Sequence, residues 1–433
     1  MFVSDCLGVN SLGHLTIGGR DTVELAQTYG TPLYVMDENE IRRACESYRE
    51  SINKYYGGRG LVTYASKAFC CKAVCKVAME EQLGLDVVSI GELYTAQSVG
   101  FPAERIFFHG NNKTVQELQA AIEYGVGQIV VDNLTELELL NQLAVSQGKM
   151  AKILFRIKPG IDAHTHDFVR TGQIDSKFGF ALETGEAMQA VKEAAGMKGV
   201  HLLGMHCHIG SQIFDIEPFE HAAEVMISFM ADVKAETGLE LEMLDLGGGF
   251  GIKYLPEHDP VAYDQYMQRV SETVKKACAA RSFKTPFIVI EPGRSIAGPA
   301  GITLYTVGAI KEIPNVRTYV SIDGGMGDNP RYALYKSEYE ALVANKASQP
   351  KTHTVTIAGK CCESGDLIGE NMPLQDVRVG DIIAVLATGA YNYSMASNYN
   401  RIPKPPVVML KDGEARVVVK RETLEDIVRN DML

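Results

Sequence analysis

Positive charge is in short supply in this chain: 42 Lys and Arg against 54 Asp and Glu leave a formal net charge of -12. Nucleic acid and anionic membrane both select for basic patches, so neither is expected as a partner. An anionic small molecule can still be met by a few local arginines and backbone amides. Long apolar runs are also missing. None approaches the roughly 20 residues that span a bilayer, and the N-terminus lacks the basic-then-apolar pattern of a signal peptide. The nine cysteines are an odd count, with Cys70-Cys71 and Cys361-Cys362 adjacent in sequence, an awkward basis for a disulfide framework. A reducing compartment is expected, hence a cytoplasmic protein. Metal-ligand spacing is absent as well: Cys71 and Cys75 stand four apart on a probable helix face with no second ligand pair, so no metal is expected.

What is present is length and a regular rhythm. A chain of 433 residues with 46% hydrophobic content suits a large domain of barrel dimensions plus a smaller one. From Leu33 onward apolar runs alternate with amphipathic, helix-like segments. The runs begin at Leu33, Leu61, Leu85, Arg105, Gln128, Ile153, His201, Met243 and Phe287. Such alternation means a parallel sheet, and its regularity favours a closed (β/α)₈ TIM-type barrel over an open doubly wound sheet, which periodicity alone does not exclude. The expected barrel covers residues 33–300. After about residue 300 the alternation stops, and β-type runs with turns predict a second, mainly antiparallel β domain formed by 1–32 and 301–433. Its last part reads as a hairpin about Lys411-Asp412-Gly413-Glu414 and a short helix from Thr423.

Polar and glycine residues gather where these runs end, and in a parallel barrel all those ends share one rim. Lys67 is the sharpest case. It leaves the run Leu61-Val62-Thr63-Tyr64 among Val62, Tyr64, Ala65, Ala68 and Phe69, which would partly desolvate its amine. Desolvation lowers a lysine pKa toward the range where the free amine attacks a carbonyl. Gly247-Gly248-Gly249 after another run can present backbone N–H groups to an anion, although a glycine triplet is often only a turn. Glu291-Pro292-Gly293-Arg294 supplies a natural phosphate or carboxylate clamp, and a carboxylate suited to a protonated pyridine nitrogen. In His206-Cys207-His208-Ile209-Gly210-Ser211 the two histidines share a strand face. A ring lying flat on an aromatic cofactor is the better reading of His208, with Ser211 donating a hydroxyl to phosphate; His206 stays unassigned. Cys362, beside an acid and a glycine turn in Cys361-Cys362-Glu363-Ser364-Gly365-Asp366, is a candidate proton donor, although a cysteine is more often buried filler.

Taken in order, these five motifs resemble those of the pyridoxal-phosphate decarboxylases of the alanine-racemase-like barrel fold, the ornithine, arginine and diaminopimelate decarboxylases. The likeness is nearest to the members acting on diaminopimelate and covers essentially the whole chain. It implies pyridoxal 5'-phosphate as cofactor, bound covalently by Lys67, with His208 stacked on its ring and Glu291 holding the ring nitrogen protonated. Ser211, Gly248, Gly249, Pro292, Gly293, Arg294 and Tyr391 would complete the cofactor site. Arg294, Arg331, Tyr335, Glu363 and Tyr391 would bind the amino-acid substrate. The catalytic pair would be Lys67 and Cys362, the thiol arriving from the second subunit of a head-to-tail homodimer with shared active sites. The implied reaction is decarboxylation of meso-2,6-diaminopimelate to L-lysine and CO₂, the last step of lysine biosynthesis, with ornithine or arginine decarboxylation or amino-acid racemisation on the same fold as the alternatives. Tyr332 after Arg331 departs from the family pattern, as does Lys360 before the cysteine pair. The segment His164 to Lys177 has the polar, glycine-containing composition of a lid.

Overall fold

The computed structural model describes residues 2–161 and 176–433, so nearly all of the suspected lid lies outside the described residues. The chain divides into two compact units, one of Ala44–Gly251 and Pro260–Gly293, the other of Met1–Arg43, Ile252–Asp259 and Arg294–Leu433.

The first unit is a closed barrel of parallel strands. Gly60–Ala65, Gly84–Val87, Ile106–Phe108, Gln128–Val131, Ala151–Lys158, Val200–Cys207, Met243–Asp245 and Phe287–Ile290 pair in that order, and the last returns to the first through Ile288↔Gly60 and Ile290↔Val62. The strands are rich in Val, Ile, Leu and Phe, which fit a sheet covered on both faces. Phe107, Val130, Leu154 and Val289 pack together as a buried cluster. Where a strand hands over to a helix, the first polar residue often caps it. Ser89 accepts from Glu92 N, Asn133 from Glu136 N, and Thr114 forms a reciprocal capping box with Glu117. These caps satisfy amides that the first helical turn leaves without a partner.

The second unit is built on a mixed sheet. Its order is Leu367–Leu374, His353–Ala358, Arg317–Ile322, Gly301–Ile313, Leu33–Asp37, Val407–Lys411 and Glu414–Val419, with Ile382–Val385 also on Gly301–Ile313. Most pairings are antiparallel, but Arg317–Ile322 with His353–Ala358 and Leu33–Asp37 with Val407–Lys411 are parallel. Leu33–Asp37 therefore does not open the barrel as the alternation suggested: Met36 pairs with Gly301 and Leu33 with Leu304. All five residues of this strand are buried, and a run covered on both faces looks alike in either kind of sheet. The helix Glu38–Tyr56 crosses from one unit to the other, so the barrel unit begins at Ala44 rather than 33 and its last segment ends at Gly293 rather than 300. The hairpin turn has the expected form, with Asp412 at φ 50° and Gly413 at φ 81°, as a two-residue turn between twisted strands requires.

Candidate active site

In the barrel unit, Lys67 sits in a single 3₁₀ turn, Ser66–Ala68, immediately after the strand Gly60–Ala65. Backbone contacts tie this turn to the end of the last strand. Ala65 N donates to Pro292 O at 3.2 Å, and the Thr63 hydroxyl donates to Ile290 O at 3.1 Å. Gly293 permits this approach, because a Cβ there would lie 2.9 Å from the Ala65 Cβ and 3.2 Å from that of Ala68. Val62, Tyr64, Ala65, Ala68 and Phe69 are all buried, yet Lys67 is exposed. The expected desolvation by these flanks is thus not seen: they pack inward as core while the lysine stands out on the rim.

Beneath that rim lies a buried charged cluster that five strands assemble. Glu291 Oε1 is 2.7 Å from His109 Nε2, and Glu291 Oε2 is 3.2 Å from His206 Nε2. The two imidazoles meet edge to face at 4.9 Å, and Asp86 Oδ1 lies 3.7 Å from His109 Nε2. Asp245 joins them: single ligand-type atoms of His109, His206, Asp245 and Glu291 all lie within 4.8 Å of one another. Burial is the largest influence on each titrating group here, but the neighbours decide the charge of Glu291. The histidines on either side hold its carboxyl well below the usual range, against the cost of burial. Burial pushes Asp245 well up, with Glu291 adding to the shift, and pushes His206 down to about 4. The negative charge therefore rests on Glu291, while Asp245 keeps its proton and His206 is neutral.

Half-buried His208 accepts from Gly248 N at 3.3 Å through Nδ1, which leaves its ring proton on Nε2. Burial first, then the charges of Lys67 and Arg156, hold its pKa well below the ordinary value. The glycine triplet departs from its simplest reading as an anion cradle. Gly247 N donates to Asp245 Oδ1 at 2.8 Å and Gly248 N to His208, so two of its amides are engaged inside the barrel. Close packing explains the glycine at 248, where a Cβ would come within 2.2 Å of Glu291 O. Gly249 has φ 113° and a Cβ would meet Gly210 O at 2.4 Å, so it too is held to glycine. Ser211 lies in the adjoining bend, half-buried, before Gln212 at φ 59°.

The second unit gathers the other named residues. Two buried guanidiniums face the ring of Tyr391: the Arg294 Cζ is 4.7 Å from its centroid and that of Arg331 5.5 Å. Arg294 donates to the Tyr254 hydroxyl at 2.6 Å, and Arg331 also stands 5.2 Å over the Tyr335 ring. Arg331 Nε is buried with no hydrogen-bond partner. Tyr391 adopts φ 65°, a left-handed conformation that a bulky residue holds only when its surroundings dictate it. Two like charges on one ring, one of them with an unsatisfied donor, suit an anionic ligand group.

Cys362 and Glu363 lie in the loop between the strands His353–Ala358 and Leu367–Leu374, and both are exposed. Asp366 gives the loop its shape. Its buried carboxylate accepts from Met326 N at 2.6 Å and Cys361 N at 2.7 Å, and glycine at 325 and 359 leaves the room it occupies. Cys362 N donates to Asn400 Oδ1 at 2.7 Å. The two adjacent thiols are therefore unlike: Cys361 is buried and pushed up to about 11, chiefly by desolvation, whereas Cys362 faces solvent. Tyr332, the departure noted beside Arg331, is buried and donates to Glu370 at 2.7 Å.

Sequence reasoning placed Glu291 but left His206 unassigned, and gave no role to Asp86, His109, Asp245 or Asp366. A single acid inside or after an apolar run has no spacing signature. Its one signal is that a charge interrupts such a run at all.

Comparison with known proteins fits this arrangement. Residues 38–298 match the family described as pyridoxal-dependent decarboxylase, pyridoxal binding domain. The chain is 50% identical to the diaminopimelate decarboxylase of Bacillus subtilis over 432 residues, 100% of this chain and 98% of that one. It is 45% identical to that of Synechocystis over 434 residues, 98% of this chain and 92% of that one. The solved diaminopimelate decarboxylase of M. jannaschii, in complex with L-lysine, superposes with a TM-score of 0.92 at 36% identity, covering 100% of this chain and 99% of that one. The chain belongs to the diaminopimelate decarboxylase family of pyridoxal-dependent decarboxylases.

Proposed function

We propose that the protein removes one carboxylate from meso-2,6-diaminopimelate to give L-lysine and CO₂, with pyridoxal 5'-phosphate bound at the barrel rim. The observation that carries this reading is Glu291, a buried carboxylate after the strand Phe287–Ile290 with His109 and His206 on its two oxygens. Its Oε1 lacks a hydrogen-bond partner of good geometry, as an acceptor awaiting a protonated ring nitrogen would. The cofactor, when bound, supplies an acceptor for the electron pair that decarboxylation leaves on the α-carbon.

The remaining work belongs to the chain. When the cofactor binds, Lys67 would hold it covalently, His208 would lie against its ring, and Glu291 would keep the ring nitrogen protonated. Ser211, Gly248, Gly249, Pro292, Gly293, Arg294 and Tyr391 would surround its phosphate and the substrate groups next to it. The bond from the α-carbon to its carboxylate breaks, CO₂ leaves, and the electron pair stays behind. Cys362 then delivers its thiol proton to that carbon and regains one from solvent. The far end of the substrate carries a carboxylate and an ammonium, so recognition needs guanidinium and carboxylate together: Arg294 and Arg331 with Glu363, aided by Tyr335 and Tyr391. Ornithine and arginine lack that second carboxylate, and a racemase has no use for the pair.

Exposed Cys362 serves the site of a second subunit in a homodimer. Mixing Lys67→Ala protein with Cys362→Ala protein restores activity if the thiol crosses the interface; inactive mixtures remove this part. The net charge and cysteine usage support a cytoplasmic enzyme, and among the described residues no helix is long and apolar enough to cross a membrane. The activity is tested by CO₂ release from meso-diaminopimelate, ornithine and arginine in parallel. Release from diaminopimelate alone, with lysine as product, is expected; release mainly from another amino acid overturns the substrate.

A further inference from the structure

The cluster around Glu291 contains more chemistry than a single carboxylate needs. His109 follows the strand Ile106–Phe108, His206 lies in Val200–Cys207, Asp245 ends Met243–Asp245 and Glu291 follows Phe287–Ile290. Backbone bonds fix these positions: His109 N donates to Val87 O, Leu246 N to Val289 O, and Glu291 N to Gly247 O. All four side chains are buried. An ionised carboxylate in such a place is costly unless donors surround it. One donor is in place, the Nε2–H of His206 at 3.2 Å from Glu291 Oε2, while His109 Nε2 stands 2.7 Å from Oε1 without hydrogen-bond geometry and Asp245 completes the cluster.

We propose that His109, His206 and Asp245 are positioning residues that orient Glu291 toward the ring nitrogen of the cofactor. The proposal rests on the reading of Glu291 given above. A neutral imidazole at His206 suits this task better than a cation would. An imidazolium or a second ionised acid would change the field at the ring nitrogen, whereas neutral donors stabilise the Glu291 charge without cancelling it. Asp86, Arg156, Cys207 and His208 are further titratable groups that bear on Glu291 from the same barrel, and Lys67 bears on Asp86. The same four donors resemble the start of a metal site. Yet a histidine nitrogen 2.7 Å from a carboxylate oxygen is at hydrogen-bond length, closer than two ligands about 2.1 Å from one ion usually stand.

The test uses the full-length protein reconstituted with pyridoxal phosphate, read by equilibrium dialysis of the cofactor and by its visible absorption as a function of pH. Substitution His206→Leu is expected to weaken cofactor binding about tenfold or more and to move the pH midpoint of the absorption change, since one bond to a charged group is lost. Substitution His206→Gln, which returns a donor near Nε2, should recover binding to within about threefold. Substitution Asp245→Asn keeps a neutral donor and should stay within about threefold of the native protein, whereas a loss beyond about tenfold means that Asp245 is ionised and overturns its part. Native affinity and an unmoved pH profile in His206→Leu, or no recovery in His206→Gln, overturn the role of His206. Melting of the cofactor-free variants separates a folding defect from a cofactor defect. Should His206→Leu not fold, His206→Gln and Asp245→Asn decide on the same readouts. Glu291→Gln tells the two levels apart: if it leaves binding and absorption unchanged, the reading of Glu291 fails, whatever its neighbours do. One equivalent of tightly held metal, whose chelation shifts the absorption, would make the four groups ligands and overturn the proposal.

Discussion

The barrel rim and the Cys362 loop carry the chemistry in opposite ways. Beneath the rim the titratable groups are packed in the barrel and held by their neighbours: Glu291 between two histidines, Asp245 on the Gly247 amide, His208 on the Gly248 amide. In the loop the two residues with chemistry, Cys362 and Glu363, stand in solvent, and only the backbone beneath them is fixed, by Asp366 and Asn400. A group that must keep one protonation state through every turnover is best buried among donors. A group that must meet a substrate, or reach another subunit, must project. Rigidity is thus placed under the loop instead of in it.

The largest effect that would break this contrast belongs to Lys67. Lys67→Ala should lower turnover roughly 10³-fold or more, measured as CO₂ release at saturating cofactor, because no neighbour can replace the covalent amine. Residual activity near the native level would place the chemistry elsewhere. Next, Glu363→Gln should lower kcat/KM for diaminopimelate by about 10- to 100-fold, the worth of one charge-assisted bond, while cofactor absorption stays native. Unchanged turnover would remove Glu363 from the substrate site.

Asp366→Ala sharpens the comparison from beneath. It leaves the half-buried amide of Met326 and the buried one of Cys361 without an acceptor, at up to about 1–3 kcal/mol each. Chemical denaturation should show a destabilised protein whose cofactor absorption in the barrel is intact. A native denaturation curve would mean that the loop does not depend on this carboxylate.

The smallest effect concerns pH. Burial raises the Asp328 carboxyl to about 7 although the Tyr305 hydroxyl donates to it. The unfolded chain gives up this proton first, near the ordinary 3.8, so the folded state binds more protons between the two values and stability falls as pH rises through that window. Asp328→Asn should flatten the fall in Tm between about pH 4 and pH 7. The same slope in both proteins would show that Asp328 is not its source.

The sequence made the barrel legible because eight of its apolar runs are barrel strands and their polar ends share a rim. It misled at Leu33–Asp37, since a strand buried on both faces carries no mark of which sheet will take it. The motifs set out Lys67, His208, Glu291, Arg294 and Cys362 as candidates, each marked by glycine, proline or a neighbouring polar residue. Asp86, His109 and Asp245 were not legible for another reason. Their meaning comes from strands that sequence separates by tens of residues and barrel closure brings together. The two-guanidinium arrangement on Tyr391 is of the same kind, joining residues 294, 331 and 391 around one ring.

The account turns on one lysine at the exit of the strand Gly60–Ala65. The most direct measurement is to reduce the cofactor-loaded protein with borohydride, digest it and locate the phosphopyridoxyl group by mass spectrometry. The account predicts the label on Lys67, in the peptide that contains Tyr64 and Phe69. A label on any other lysine, or none on a protein that still releases CO₂ from diaminopimelate, would contradict it.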